Sequence, residues 1–113
     1  MYTSSATLGA STTAYTTSNE ITNTSGTAYT AAGATLTSVT PVASSTTAVC
    51  DFNDVDFTSA SFTANGALIY NSSASGNPAV AAIAFGSDKT ATNGTFTIQF
   101  PTADATNAII RLA

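Results

Sequence analysis

The sequence predicts an all-β fold: a single-domain antiparallel β-sandwich or jelly-roll-like barrel with an extended N-terminal arm. Three observations support this prediction. The second half contains short segments in which apolar and polar residues alternate, which is typical of half-buried strands. Turn-forming residues separate these segments, as expected for neighbouring antiparallel strands. No stretch repeats its apolar residues with a helical period, and Leu, Lys, Glu and Gln are too scarce to build helices.

Four strands are predicted in the second half. Ser61–Tyr70 and Phe96–Phe100 alternate apolar and polar residues. Ala79–Phe85 is an unbroken apolar run without a charge, which predicts a strand covered on both faces. Ala108–Leu112 closes the series, and Gly66 inside the first strand indicates a bulge or a close approach of another backbone segment.

The connections between these strands are marked by turn formers. Residues 71–78 read as an exposed loop, and Gly86–Asp88 together with Asn93–Gly94 bracket a second connection. Pro101 ends the following strand because proline cannot donate a hydrogen bond to a ladder. One helical turn near Ala103–Asn107 is the most helix that the sequence predicts.

The first 19 residues are expected to form an arm in front of a β-domain at 20–113. Tyr2, Leu8 and Tyr15 are the only large apolar side chains in this segment after the first residue, too few to order a free-standing element. Two outcomes are open: a disordered tail, or an arm that becomes ordered against a neighbouring subunit. In the second case Tyr2, Leu8 and Tyr15 are the candidate interface residues, because a threonine-rich segment suits extended pairing and tyrosines dock well in pockets.

Residues 20–57 hold weaker strand signals, which predict short edge strands. The clearest candidate is Thr46–Phe52, with Ala48, Cys50 and Phe52 predicted to face the core and the Thr47, Val49 and Asp51 side predicted to face solvent. The weaker candidates, which precede Pro41, are Glu20–Thr22, Thr27–Thr30 and Thr35–Val39.

Composition narrows the function classes. Thr, Ala and Ser supply 59 of the 113 residues, whereas two basic and six acidic residues give a net charge of −4. Nucleic-acid partners are not expected, because phosphate binding requires clusters of Lys and Arg. No membrane partner is expected either, since no apolar run approaches the length of a membrane span. The N-terminus lacks the basic start and apolar core of a secretory signal, which predicts synthesis in the cytoplasm.

Neither an enzyme nor a cofactor is expected from the residue content. The chain has no histidine, which removes the usual general base and the commonest neutral metal ligand. Asp51, Asp54 and Asp56 are the weak candidates for a metal site. Their spacing does not follow an EF-hand loop, and a solvated turn is the alternative interpretation.

Several short segments of the chain have a distinctive sequence and occur in a fixed order. They are Ser18–Ile21, Gly26–Gly33, Leu36–Thr37, Asp51–Val55, Ala64–Asn71, Phe85–Lys89 and Asn93–Phe100. In these segments the chain resembles small β-rich virion proteins of tailed bacteriophages, and the resemblance runs from about Thr16 to Ala113. Phe57 stands where similar proteins have an aromatic residue such as Trp.

The resemblance implies a structural role in the virion. We expect a capsid decoration, or cement, protein on the capsid exterior, which stabilises the shell by non-covalent bridging between major capsid protein subunits. A homo-oligomer is expected, with a trimer favoured, because Ala79–Phe85 carries more apolar surface than one small sandwich covers. The alternative is a structural or adaptor protein associated with the tail or fibre.

Overall fold

A computed structural model describes residues 1–22 and 26–112 of the chain, so the predicted domain at 20–113 includes four residues outside the described part. The all-β prediction is confirmed: the strands form antiparallel sheets, and none of the described residues is helical. The sandwich or jelly-roll arrangement stays a prediction. The strands are β1 (Val42–Ser44), β2 (Thr47–Cys50), β3 (Val55–Tyr70), β4 (Ala79–Ile98) and β5 (Ile110–Leu112).

β1, β2 and β5 form a three-stranded sheet with β2 in the centre. β1 and β2 make a tight hairpin in which Ser44 pairs with Thr47, and the turn residue Ser45 has a positive φ of 58°. On the other side of β2, Cys50 pairs with Ile110. Positive φ at a hairpin turn matches the twist of the two strands that it joins.

β2 presents the opposite face to the core from the one predicted. Val49 is 1% exposed and Asp51, one residue beyond the strand, is 2% exposed, whereas Ala48 is exposed. The prediction is wrong because the Asp51 carboxylate obtains partners inside: it accepts hydrogen bonds from the N–H groups of Phe52 (2.9 Å) and Ile109 (3.4 Å). Because the Asp51 carboxylate has hydrogen-bond donors, its burial costs little free energy. The strand can then bury Val49 instead of the smaller Ala48, which removes more apolar surface from water.

β3 and β4 form a long two-stranded hairpin. Two side-chain hydrogen bonds link the strands: the hydroxyls of Thr63 and Thr90 are bonded (2.8 Å), and the side-chain amide of Asn65 donates to the carboxylate of Asp88 (2.8 Å). Because the residue numbers rise along β3 as they fall along β4, the two strands are antiparallel. The predicted strand at Ser61–Tyr70 is confirmed and lies within β3.

The predicted connection between Ala79–Phe85 and Phe96–Phe100 is wrong, because β4 runs without interruption from Ala79 to Ile98. Gly86 and Asn93 do take the positive φ expected of turn formers, 76° and 48°. Both residues lie inside the strand, where such a conformation produces a local irregularity in the ladder instead of a chain reversal.

The weak strands predicted before Pro41 do not form. Two of them contribute single β-bridges, in which Glu20 pairs with Tyr2 and Ser38 pairs with Phe52. The predicted helical turn near Ala103–Asn107 is a hydrogen-bonded turn, closed by the N–H of Ala108 on the carbonyl oxygen of Asp104 (3.1 Å).

The chain divides into two compact units. This division does not follow the predicted boundary between an arm at 1–19 and a domain at 20–113. The first unit comprises Met1–Gly33 and Thr58–Phe96, so the predicted arm at 1–19 belongs to it. The second comprises Ala34–Phe57 and Thr97–Ala113, of which the last residue lies outside the described part. The buried apolar residues of the first unit are Met1, Tyr2, Ile21, Tyr29, Ala60, Phe62, Ala64, Ile69 and Phe96; those of the second are Val49 and Ala108.

The close approach of another backbone segment that the sequence predicts at Gly66 is confirmed. A Cβ atom at this position would lie 2.7 Å from the carbonyl oxygen of Ile83 in β4. On its other side, the carbonyl oxygen of Gly66 accepts a hydrogen bond from the N–H of Tyr2 (2.9 Å). Backbone therefore approaches Gly66 from two directions, and no side chain fits there without displacement.

Replacing Gly66 with alanine is expected to destabilise the protein by about 1–3 kcal/mol, because the new methyl group must push a backbone carbonyl away. Gly94→Ala is the matched control, since its Cβ would lie 3.7 Å from the nearest atom, the carbonyl oxygen of Thr92. The control should change the unfolding free energy by less than about 0.5 kcal/mol. Urea denaturation of both variants measures the difference, and equal midpoints would contradict the close approach.

Candidate interaction surface

The predicted arm is ordered by its own chain, through backbone pairing with both strands of the long hairpin. Near its start, Tyr2 donates to Gly66 and accepts from the N–H of Asn65 (2.8 Å), which lie in β3. Near its end, the carbonyl oxygen of Thr13 accepts a hydrogen bond from the N–H of Ala79 (2.9 Å), the first residue of β4. The arm therefore lies along an edge of each strand.

The carboxylate of Glu20 fixes the arm to the residues that follow it. Its Oε2 accepts a hydrogen bond from the hydroxyl of Tyr15 (2.7 Å), and its Oε1 accepts one from the hydroxyl of Tyr29 (2.8 Å) and one from the N–H of Ala32 (2.8 Å). Glu20 is only 8% exposed, and three donors offset the cost of removing its charge from water. The amino group of Met1 donates to the hydroxyl of Tyr29 (2.7 Å), which extends the network.

The four tyrosines, scattered in sequence, converge in this unit. Tyr15 stacks on Tyr70 with ring centroids 4.7 Å apart and an angle of 24° between the planes. Tyr70 donates its hydroxyl proton to the carbonyl oxygen of Ala32 (2.9 Å). Tyr2 donates to the carbonyl oxygen of Thr16 (2.6 Å). Each hydroxyl thus has an acceptor while the rings contribute apolar contact area.

Burial and the nearby carboxylate perturb the titration of this cluster. Burial, followed by the hydrogen bond to Glu20 and its negative charge, raises the pKa values of Tyr15 and Tyr29 well above the ordinary range. Burial also raises the pKa of Tyr2, and the charge of Glu20 adds to the effect. Burial lowers the pKa of the Met1 amino group to about 6, although the charge of Glu20 acts in the opposite direction.

The three candidate interface residues occupy different environments. Tyr2 is 2% exposed, whereas Leu8 and Tyr15 are half-buried. Tyr2 and Tyr15 already have partners within the chain, so either could anchor a neighbouring subunit only after the arm leaves the hairpin. Their role at an interface stays a prediction.

The three candidate metal ligands do not share a site. Asp51 accepts the two backbone hydrogen bonds described above, Asp54 accepts one from the N–H of Phe100 (2.8 Å), and Asp56 accepts one from the hydroxyl of Thr97 (2.5 Å). Within residues 1–22 and 26–112, no group of three or more His, Cys, Asp or Glu side chains could hold a metal ion. Each carboxylate orients a neighbouring backbone or hydroxyl group.

The apolar run Ala79–Phe85 contains an exposed large hydrophobic residue, Val80. Its residues alternate between half-buried and exposed positions, and Val80 is 51% exposed, so the predicted covering on both faces is wrong for a single chain. Among the described residues, β4 pairs with β3 along one edge and with the arm at its first residue along the other. An apolar strand edge without a partner is a surface suited to association.

Residues missed by sequence reasoning carry most of this arrangement. The sequence predicts only a weak strand at Glu20–Thr22, whereas the carboxylate of Glu20 accepts hydrogen bonds from the hydroxyls of both Tyr15 and Tyr29. A lone glutamate in a threonine-rich segment was the available signal, because Glu20 is the only glutamate in the chain.

Comparisons with protein families, curated proteins and solved structures give no match to this chain. In the part of the chain that the structure describes, no helix has the length and apolar character needed to cross a membrane.

Removing the Tyr15 hydroxyl tests the Glu20 network. Tyr15→Phe keeps the ring stack but takes one donor from a buried carboxylate, so the unfolding free energy should fall by about 1–3 kcal/mol. Tyr70→Phe is the matched control, because its hydroxyl lies in an exposed hydrogen bond to a neutral carbonyl. Its cost should stay below about 1 kcal/mol. Chemical denaturation compares the two, and an equal or larger loss for Tyr70→Phe would contradict the role given to Glu20.

The raised tyrosine pKa values predict alkaline destabilisation. An unfolded tyrosine loses its proton near its ordinary pKa of about 10, whereas the folded cluster keeps its protons to higher pH. The unfolded state then binds fewer protons, so the unfolding free energy should fall as the pH rises above about 10. At lower pH the Met1 amino group acts in the opposite sense: its lowered pKa should make the unfolding free energy rise between about pH 6 and pH 8. Melting temperatures at increasing pH test this, and Tyr15→Phe should make the fall less steep. A flat profile through the tyrosine range would contradict the prediction.

Proposed function

We propose that this chain is a bacteriophage capsid decoration protein, which binds the outside of the major capsid shell and stabilises it without covalent bonds. The exposed apolar run at the start of β4 carries the proposal, because a half-exposed Val80 next to an unpaired strand edge suits burial in an assembly. The sequence resemblance to phage virion proteins supports a phage capsid as the particle.

Low charge supports an assembled rather than a freely soluble role. With eight charged residues in 113, the surface provides little electrostatic repulsion between copies. No catalytic role is proposed, since the chain has no histidine and its acidic residues orient neighbouring groups. The proposed partners are the major capsid protein and further copies of this chain, with a trimer as the proposed order.

Cementing acts by mass action. Contacts that exist only on the expanded shell stabilise that shell, and repetition over many equivalent positions multiplies a modest interface. A protein with this role needs exposed apolar contact area and a rigid scaffold. The hairpin, held by the arm and by Glu20, offers both.

Copy number separates decoration from the alternative, a tail or fibre component. Purified virions and tailless heads should both carry the protein in numbers that match the capsid lattice, measured by quantitative mass spectrometry against the major capsid protein. Loss of the protein together with the tail would overturn the decoration role and favour the alternative.

A charge on β4 should weaken decoration. Val80→Asp places a carboxylate on the exposed apolar run, and burying it at an interface is expected to lower shell affinity by at least about tenfold. Val42→Asp is the matched control, because Val42 is 48% exposed and lies in β1. Binding to undecorated expanded heads, measured by co-sedimentation, should be retained by the control. Equal binding of both variants would exclude the β4 run as the contact.

A further inference from the structure

The chain contains two asparagine–glycine pairs, Asn65–Gly66 in β3 and Asn93–Gly94 in β4. In such a pair the backbone nitrogen of glycine can attack the side-chain amide carbon of asparagine, because glycine has no Cβ atom to hinder the approach. The reaction forms a succinimide ring, which water then opens. Since the two dipeptides are identical, the fold decides which of them reacts.

The pairing of β3 with β4 is irregular beside Asn93. The hydroxyl of Ser61 is bonded to Asn93. The hydroxyl of Thr63 is bonded to that of Thr90, so two steps along β3 correspond to three steps along β4. Thr92 and Asn93 are consecutive exposed residues, and Asn93 has a positive φ of 48°. These observations place a β-bulge at Asn93, where the regular ladder is disrupted.

The side-chain amide of Asn93 is exposed and is oriented by one hydroxyl group. Ser61 accepts a hydrogen bond from the N–H of Asn93 (2.9 Å) and donates one to its Oδ1 (3.2 Å). Negative charge develops on Oδ1 when the amide carbon is attacked, and a donor at that oxygen stabilises it. Among the described residues, none accepts a hydrogen bond from the Asn93 Nδ2, the nitrogen that leaves as ammonia.

The pair Asn65–Gly66 lies in the opposite environment. Nδ2 of Asn65 donates to the carboxylate of Asp88 (2.8 Å), so loss of ammonia would break this bond and leave two carboxylates close together. Gly66 is buried, and its N–H donates to the carbonyl oxygen of Tyr2 (3.4 Å). Ring closure on this nitrogen therefore requires the arm to leave β3 first, at the free-energy cost of local opening.

We infer that Asn93 is a site of spontaneous deamidation in the folded protein and that the fold protects Asn65. The nitrogen of Gly94 loses its proton and bonds to the amide carbon of Asn93, and the bond from that carbon to Nδ2 breaks with release of ammonia. Water opens the succinimide at either carbonyl group, which gives aspartate or isoaspartate. Both products add one negative charge to a chain whose net charge is −4. The inference does not depend on the capsid role.

Tryptic peptides separate the two sites. Lys89 and Arg111 are the only basic residues, so cleavage after them places Asn65 and Asn93 in different peptides. Native protein and protein unfolded in guanidinium chloride are incubated in the same mildly alkaline buffer, and mass spectrometry measures the conversion of each asparagine. In the unfolded chain the two sites should react at similar rates. In the native protein Asn65 should react at least about tenfold more slowly than Asn93.

Gly94→Ala is the matched variant, because its Cβ would lie 3.7 Å from the nearest atom, the carbonyl oxygen of Thr92, and fits the fold. The new methyl group hinders ring closure, so the conversion of Asn93 should slow by at least about tenfold while the melting temperature stays unchanged. Anion-exchange chromatography gives a second measurement: a more acidic species should accumulate in the native wild type and not in Gly94→Ala.

Three results would overturn the inference. The first is an Asn93 that stays intact in the native protein although it reacts in the unfolded chain. The second is an Asn65 that reacts as fast as Asn93 in the native protein, which would show that the fold does not distinguish the two pairs. The third is a Gly94→Ala variant that converts Asn93 at the wild-type rate.

Discussion

The burial of one carboxylate, that of Glu20, ties the end of the arm to Tyr29 and Ala32. Glu20 is 8% exposed and would be costly without donors, and its three donors come from residues 15, 29 and 32. A single side chain therefore ties the end of the arm to the segment that follows it. The start of the arm is fixed separately, since Tyr2 pairs with Gly66 in β3. A threonine-rich segment with few apolar anchors is thus ordered by hydrogen bonds, where apolar burial alone would not suffice.

The sequence predicts those parts of this fold that local pattern determines. Ser61–Tyr70 was recognisable because its alternation extends over ten residues, and Gly66 because a glycine inside a strand has few other uses. The convergence of Tyr15 and Tyr29 on Glu20 was not recognisable. It depends on contacts between Glu20 and residues five and nine positions away, Tyr15 and Tyr29. These contacts lie outside regular strands, so no periodic pattern in the sequence indicates them.

Two errors show where local pattern becomes ambiguous. Gly86 and Asn93 favour positive φ, but whether such residues reverse the chain or only perturb a strand depends on continued pairing with β3, which is a tertiary property. The alternation in β2 allows either face of the strand to point to the core. The charge of Asp51 favours the arrangement in which Asp51 faces solvent. N–H donors from Phe52 and Ile109 make the other arrangement favourable, and Ile109 is too distant in sequence for the pattern to reveal it.

The exposed edge of β4 departs from the usual protection of strand edges. Natural edges are kept from pairing by short length, by proline, or by a lysine that repels a second copy. β4 is long, lacks proline and carries a single lysine, Lys89. With eight charges in the whole chain, little else opposes the approach of a second copy. Within the described residues, the longest strand therefore carries few of the features that usually protect a strand edge.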